Sequence, residues 1–289
     1  MDFYGFYTGR IFDAHEYLGA HPGPGGTTFR VFAPSARAVE LLALDRVLPM
    51  QKIYDGNFYE LTLPEAGPGT VYAYRVHPRQ GDPVDHCDPY GFGMELRPDH
   101  RSVVRDLDEY TFGDDAWRRR PLRPGAGPLN IYEIHLGSWR RREDGGFYTY
   151  EELAEPLADY LTESGYNAVE FLPLAEHPCD ESWGYQTTGF FAPTSRYGTA
   201  AGLMALVDTL HRRGIAVLLD FVPAHFAVDA YGLARFDGTC LYEYPSQDVG
   251  VSEWGSCNFM HSRGEVRSFL QSAAHYWLDR YHFDGLRFD

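Results

Sequence analysis

"IAVLLDFV", residues 215 to 222, decides the fold. It is a nearly unbroken apolar run, and its one polar residue, Asp220, falls near its end. Such a run reads as a strand covered on both faces, which is what a parallel sheet requires. Upstream, residues 201–213 place Leu203, Leu206, Val207 and Leu210 on one helical face, and Gly214 supplies the stop. Before that helix lies a second strand, "AVEFLP" (168–173). A helix at about Tyr150 to Ser164 precedes it, opened by a Thr149/Glu152 capping box and carrying Pro156 inside it, where a kink or a later start is expected. "NIYEIHLGS" (130–138) is the strand before that. Downstream, Ser262 and Glu265 form a capping box. Val266, Phe269, Leu270, Ala273, Ala274, Trp277, Leu278 and Tyr281 then make one apolar stripe. "GLRFD" (285–289) is the fourth strand. Four strands alternating with helices mean a parallel α/β sheet. The long loops, 177–199 and 224–263, follow the second and third strands, where a (β/α) barrel keeps its active site.

The chain before this sheet reads differently. "TTFRVFAPSARAVELLAL", "GNFYELTLP" and "GTVYAYRVHP" are short β-rich runs separated by Gly/Pro turns such as "HPGPGG" and "EAGPG". That pattern predicts a β-sandwich. "RRRPLRPGAGP" is basic, Pro/Gly-rich and poor in apolar residues, as an interdomain linker is. The expected architecture is therefore an N-terminal β-sandwich (1–117), a linker (118–128) and about four β/α units (129–289).

Bulk properties narrow the function. The 289 residues carry a formal net charge of −16, which repels phosphate backbones and anionic membrane surfaces, so no nucleic-acid or membrane partner is expected. Aromatics make up 16% of the chain, which excludes a disordered protein and supplies flat surfaces for core packing or for sugars. No apolar run approaches a membrane span, and the N-terminus lacks a secretory signal. Cys87, Cys179, Cys240 and Cys257 are far apart and show no metal-ligand spacing, as reduced thiols of a cytoplasmic protein would. The charge and composition leave oligomeric state open.

Polar residues gather at the carboxyl ends of the predicted strands: Glu133 and His135, Glu170, Asp220 with His225, and Arg287 with Asp289. Alternate strand residues share a face, so Arg287 and Asp289 point the same way. An arginine beside a carboxylate favours the ionised form, and a glycosyl-transferring nucleophile must be ionised. An ordinary strand-stabilising ion pair explains the same spacing. Asp220, at the end of an apolar strand, requires a partner, whether a barrel residue or a ligand. Trp183, Tyr185 and Phe190, in the loop after the second strand, either stack on sugar rings or pack against the barrel rim. The phosphate-cradling glycine motifs and Gly-x-Ser-x-Gly are absent.

The order of these segments resembles the α-amylase superfamily, and within it the bacterial 1,4-α-glucan (glycogen) branching enzymes. The matching stretches are "IYEIHLGSWRR", "GGFYTYEELA", "VEFLPLAEHP", "SWGYQTTGFFAPTSRYGT", "GIAVLLDFVPAHF", "GLARFDGTCLYEY" and "YHFDGLRFD". Upstream, "HEYLGAHP", "FRVFAPSARAVELL", "VYAYRV" and "DPYGFGMELRP" resemble that family's glycan-binding sandwich. Where the family often has an aromatic Gly-Asp-Phe-Asn turn, this chain reads "LALDRVLPM".

The resemblance implies that Asp289 is the nucleophile, Arg287 its partner arginine and Asp220 a supporting aspartate. It implies that His225 hydrogen-bonds the transferred sugar and that Tyr185, with Trp183 beside it, forms the aromatic surface. Ala224 stands where many of the wider superfamily carry Asn. The implied reaction cleaves an α-1,4-glucan and passes the chain to a 6-hydroxyl, with no metal or organic cofactor. The resemblance implies that the four β/α units (129–289) are the first half of a (β/α)8 barrel. The family's acid/base glutamate and a later aspartate and histidine lie beyond the fourth strand, so the resemblance implies an N-terminal fragment inactive by itself. Two rival expectations stand beside this one: a trehalose-releasing or debranching hydrolase, and a non-catalytic glucan-binding module.

Overall fold

The computed structural model describes residues 1–120 and 127–289. Two antiparallel sheets form the N-terminal part. One runs Gly19–Gly23, Gly26–Phe32, Phe58–Leu63, Gln51–Ile53. The other runs Arg46–Pro49, Ala38–Ala43, Val71–His77, Val84–His86, with Ser102–Val103 also paired to Val71–His77. The alternation in sequence becomes an alternation in burial. Thr27, Phe29 and Val31 of one sheet and Val39, Leu41 and Ala43 of the other point inward, and Phe29 meets Tyr72 edge-on at 4.9 Å. This is the packing of a sandwich. The "LALDRVLPM" stretch forms a tight hairpin, with Leu44 and Asp45 at φ of 51° and 56°. Two successive left-handed residues give the turn whose twist matches its strands.

The second part is a four-stranded parallel sheet in sequence order: β1 (Ile131–Ile134), β2 (Ala168–Phe171), β3 (Ala216–Phe221) and β4 (Gly285–Phe288). Its connecting helices are α1 (Tyr150–Glu163), α2 (Ala200–Arg212) and α3 (Gly264–Arg280). The Thr149/Glu152 capping box forms as the sequence predicts, and α1 runs unbroken through Pro156. The bond Pro156 forgoes is offset by the face of Leu153, Leu157 and Leu161, which is buried. Gly214, at φ 79°, ends α2: its N–H donates to His211 and that of Ile215 to Leu210, the paired bonds of a glycine-terminated helix.

The start of α3 departs from expectation. Arg263, not Ser262, is the N-cap, with no side-chain cap bond, so the Ser262/Glu265 box does not form. An N-terminal helix (Phe3–Thr8) lies against this end of α3. A Cβ on Gly264 would run into the Tyr7 carbonyl. Ser268 Oγ donates to the Phe6 carbonyl (2.9 Å), and Ser272 Oγ accepts from the Ala14 amide (3.0 Å). This second cover widens the buried stripe to include Ser268, Ser272 and Tyr276, while Ala274 and Leu278 are only partly buried.

The linker expected over 118–128 lies largely outside the described residues. Arg118, at its start, closes the short helix Asp115–Arg118, which is bound to the barrel part. Trp117 Nε1 donates to Asp284 (2.8 Å), and the buried His211 lies between Asp114 (2.7 Å) and Asp284 (3.0 Å). Among the described residues no helix is long and apolar enough to cross a membrane.

Candidate active site

Register builds the centre of the site. In a parallel ladder, residues opposite one another face the same side, and Asp220 of β3 stands opposite Arg287 of β4. Arg287 Nη1 donates to both oxygens of Asp220 (3.1 Å each) and to Asp289 Oδ1 (2.8 Å). The Asp289 amide donates to the Phe221 carbonyl (3.1 Å), which carries the ladder one residue past β4. Asp220 is buried, and a second donor reaches it, the Tyr185 hydroxyl at 2.6 Å from Oδ2. Burial pushes the Asp220 carboxyl up, against the pull of Tyr185 and Arg287. Burial and the Asp220 carboxylate together push the Tyr185 phenol up. The two carboxylates raise the Arg287 guanidinium, fixing it as a cation.

One layer deeper on this face, Glu133, Glu170, Leu218 and Gly285 are in register. Burial and the nearby Asp220 push the Glu170 carboxyl up.

Tyr185 is delivered by a compact loop. Trp183, at φ 53°, donates its amide to Asp180, and Tyr185 donates to Ser182. Gly184 passes so close to the Pro173 carbonyl that no Cβ would fit. The loop is anchored by Arg196, whose buried side chain donates to Asp180 (2.7 Å) and Glu176 (2.6 Å). Glu176 also accepts from the Ser195 amide and hydroxyl, both at 2.8 Å. No short-range motif in the sequence signals this anchor, because its members lie up to 20 residues apart within the segment that follows β2.

His225 is buried, and its Nε2 lies 2.9 Å from the Tyr185 carbonyl. It starts a short strand, His225–Phe226, paired with Cys257–Asn258. A cleft of about 590 Å³ brings Tyr185, His225 and Asp289 together with Gln186, Glu181 and Trp254. Trp183 lines a neighbouring cleft of about 260 Å³ and stacks on His135, ring centroids 5.8 Å apart. Phe190 is not a surface aromatic: it lies on the strand Gly189–Pro193 and is buried against Phe259 and Phe269. Trp254 escaped the sequence reading, being one of several aromatics in the long loop 224–263.

A β-sandwich is followed by a parallel β/α sheet that carries an Asp–Arg–Asp arrangement at the carboxyl ends of its strands. Residues 17–91 match the family Carbohydrate-binding module 48 (Isoamylase N-terminal domain), and residues 151–237 match Alpha amylase, catalytic domain. Among solved structures, a putative alpha amylase from Salmonella typhimurium superposes with a TM-score of 0.77 at 27% identity, over 94% of this chain and 43% of that one. A mutant pullulanase from Paenibacillus barengoltzii, complexed with maltotriose, gives 0.77 at 26% identity over 98% of this chain and 52% of its own. The 1,4-alpha-glucan branching enzyme GlgB of Nitrosomonas europaea is 46% identical over all of this chain, and that of Fusobacterium nucleatum 41%. Over its whole length the chain is similar to these 1,4-alpha-glucan branching enzymes, and its residues 151–237 match the alpha-amylase catalytic domain. It spans 41% and 48% of the lengths of those two enzymes.

Proposed function

We propose that this chain supplies the nucleophile side of a 1,4-α-glucan branching reaction. An Asp289 carboxylate oxygen attacks C1 of a glucosyl unit, the C1–O4 bond breaks, and the departing O4 takes a proton from a general acid. The 6-hydroxyl of an acceptor glucan then attacks C1, gives its proton to that same group, and displaces Asp289. Arg287 holds Asp289 and carries positive charge beside it. Asp220 holds Arg287 and the Tyr185 hydroxyl, so that the Tyr185 ring offers its face to the sugar. With Nε2 of His225 donating to the Tyr185 carbonyl, Nδ1 is the nitrogen left for a sugar hydroxyl. Trp183 extends the aromatic surface on the neighbouring side. The observation that carries this reading is the single Arg287 nitrogen bonded to both Asp220 and Asp289.

The mechanism requires a second carboxyl as acid/base, about 5–5.5 Å from the nucleophile in a retaining enzyme. Asp220 is unsuited: although burial raises it, both its oxygens already accept hydrogen bonds. Glu181 also borders the cleft, but its carboxylate is held below the usual range, accepting from the Cys179 thiol. We therefore expect these 289 residues alone not to turn over. The substrate is an α-1,4-glucan such as glycogen or amylose, and the setting is the cytoplasm, where the four unpaired thiols stay reduced. The proposed units are the sandwich (1–117) and the barrel portion (129–289), with residues 110–118 strapped along the barrel.

The test is to purify the protein produced by the native gene, incubate it with amylose and count new α-1,6 linkages. Branching that is abolished by Asp289→Asn is the expected result. Release of reducing sugar without new linkages would move the protein to the hydrolases.

A further inference from the structure

Trp254 is 75% exposed and borders the same cleft as Asp289, Tyr185 and His225. An indole left in water is costly apolar surface, and its flat face suits the C–H face of a pyranose ring. The loop that presents it is built to hold it. The Ser252 amide donates to the Ser256 carbonyl (2.9 Å), and the Ser256 amide donates to Ser252 Oγ (3.1 Å). Gly255 takes the left-handed φ of 79° that the turn requires. Ser256 is buried and exchanges two hydrogen bonds with Gln186, at 2.8 and 3.1 Å. Gln186 directly follows Tyr185. On the other side, Cys257 and Asn258 pair with Phe226 and His225. The Trp254 loop is therefore clasped to both of the elements that carry the proposed sugar contacts.

We propose that Trp254 is a second sugar platform, taking a ring of the α-glucan chain removed from the one at Asp289, and that the Gln186–Ser256 pair sets its position. This rests on the glucan reading of the cleft. The nearby carboxylates, Asp289 and Glu181, disfavour an anionic occupant, whereas a neutral polyol meets no such penalty.

The test is calorimetric titration of the 289-residue chain with maltoheptaose. Trp254→Ala is expected to weaken binding about tenfold, a stacking contact of ordinary size. Trp254→Phe, which keeps a flat ring, should stay within about threefold of wild type. Ser256→Ala, which leaves Trp254 present but unclasped, should fall between. Trp254→Gln is run beside the alanine variant, so that a folding defect in one leaves the other to decide. Equal affinity for Trp254→Ala, Trp254→Gln and wild type overturns the platform. If Tyr185→Ala then still weakens binding, the glucan reading survives without it. If wild type fails to bind maltoheptaose, the platform and the glucan reading of this chain fall together.

Discussion

A single nitrogen of Arg287 bonds to two carboxylates, 2.8 Å from Asp289 and 3.1 Å from each oxygen of Asp220. Asp220 is buried, whereas the Arg287 side chain is 46% exposed. Removing Arg287 thus leaves a buried carboxylate with only the Tyr185 hydroxyl. Breaking a fully buried pair costs roughly 3–5 kcal/mol, but solvent at Arg287 screens this one, so we expect Arg287→Ala to cost about 1–2 kcal/mol. Urea denaturation of the chain at pH 7 measures it. Arg287→Ala in Asp220→Asn should cost less than in wild type, because the amide carries no charge to strand. Equal costs in both backgrounds would mean that the Asp220 contact contributes nothing.

The two capping boxes read from sequence give opposite outcomes in the fold, and mutation should separate them. Thr149→Ala removes a cap that the Glu152 amide uses, with an expected loss of about 1 kcal/mol. Ser262→Ala touches no cap bond and should stay within about 0.5 kcal/mol of wild type. Gly264→Ala drives a methyl into the Tyr7 carbonyl, and overpacking of this kind costs about 1–3 kcal/mol. Thermal melts of the three variants give the order directly. A Ser262→Ala loss as large as that of Thr149→Ala would restore the predicted box.

That contrast shows what a sequence can carry. The β3 run, the α2 stripe with its Gly214 stop, and the facing of Arg287 and Asp289 are local patterns of period one, 3.6 and two, and the fold keeps them. The Ser262 motif was equally local, yet Phe6 and Ala14, bonded to Ser268 and Ser272 across more than 250 residues of chain, take over the face that the helix presents. Asp220, Tyr185 and His225 were legible as candidates, but not the bonds that join them. The Arg196 anchor and the Trp254 clasp were not legible, because one joins residues up to 20 apart within a segment and the other joins two loops 70 residues apart. Phe190 and Trp183 sit seven residues apart in one loop region, and only the backbone path sends one into the core and the other to a surface cleft.

Asp88 provides a pH-dependent prediction away from the site. It is buried beneath the hydroxyls of Tyr72 (2.8 Å) and Tyr74 (3.1 Å), and burial pushes its carboxyl up to about 6 against their help. A carboxyl raised in the folded state favours folding while it is protonated. Its contribution is full below the unfolded value near 3.8 and is lost as pH rises through about 6. The displacement corresponds to about 3 kcal/mol. Asp88→Asn carries no such titration, so its stability relative to wild type should improve by about that amount between pH 4 and pH 7. Parallel denaturant titrations across that range read the difference. A gap that stays constant with pH would mean that Asp88 titrates normally.

Tyr185 performs two jobs, and two substitutions separate them. Its hydroxyl donates to Asp220 at 2.6 Å, and its ring borders the cleft at Asp289. Tyr185→Phe keeps the ring and loses a hydrogen bond to a charged group, worth about 1.5–3 kcal/mol when well formed. In the branching assay on the native gene product, that bond positions rather than reacts, so kcat/KM should fall roughly 10- to 100-fold. Tyr185→Ala loses the ring as well and should fall further, with KM rising, because a stacking surface binds ground state and transition state alike. If Phe and Ala behave identically, the ring makes no contact with the sugar, and Tyr185 serves only to hold Asp220.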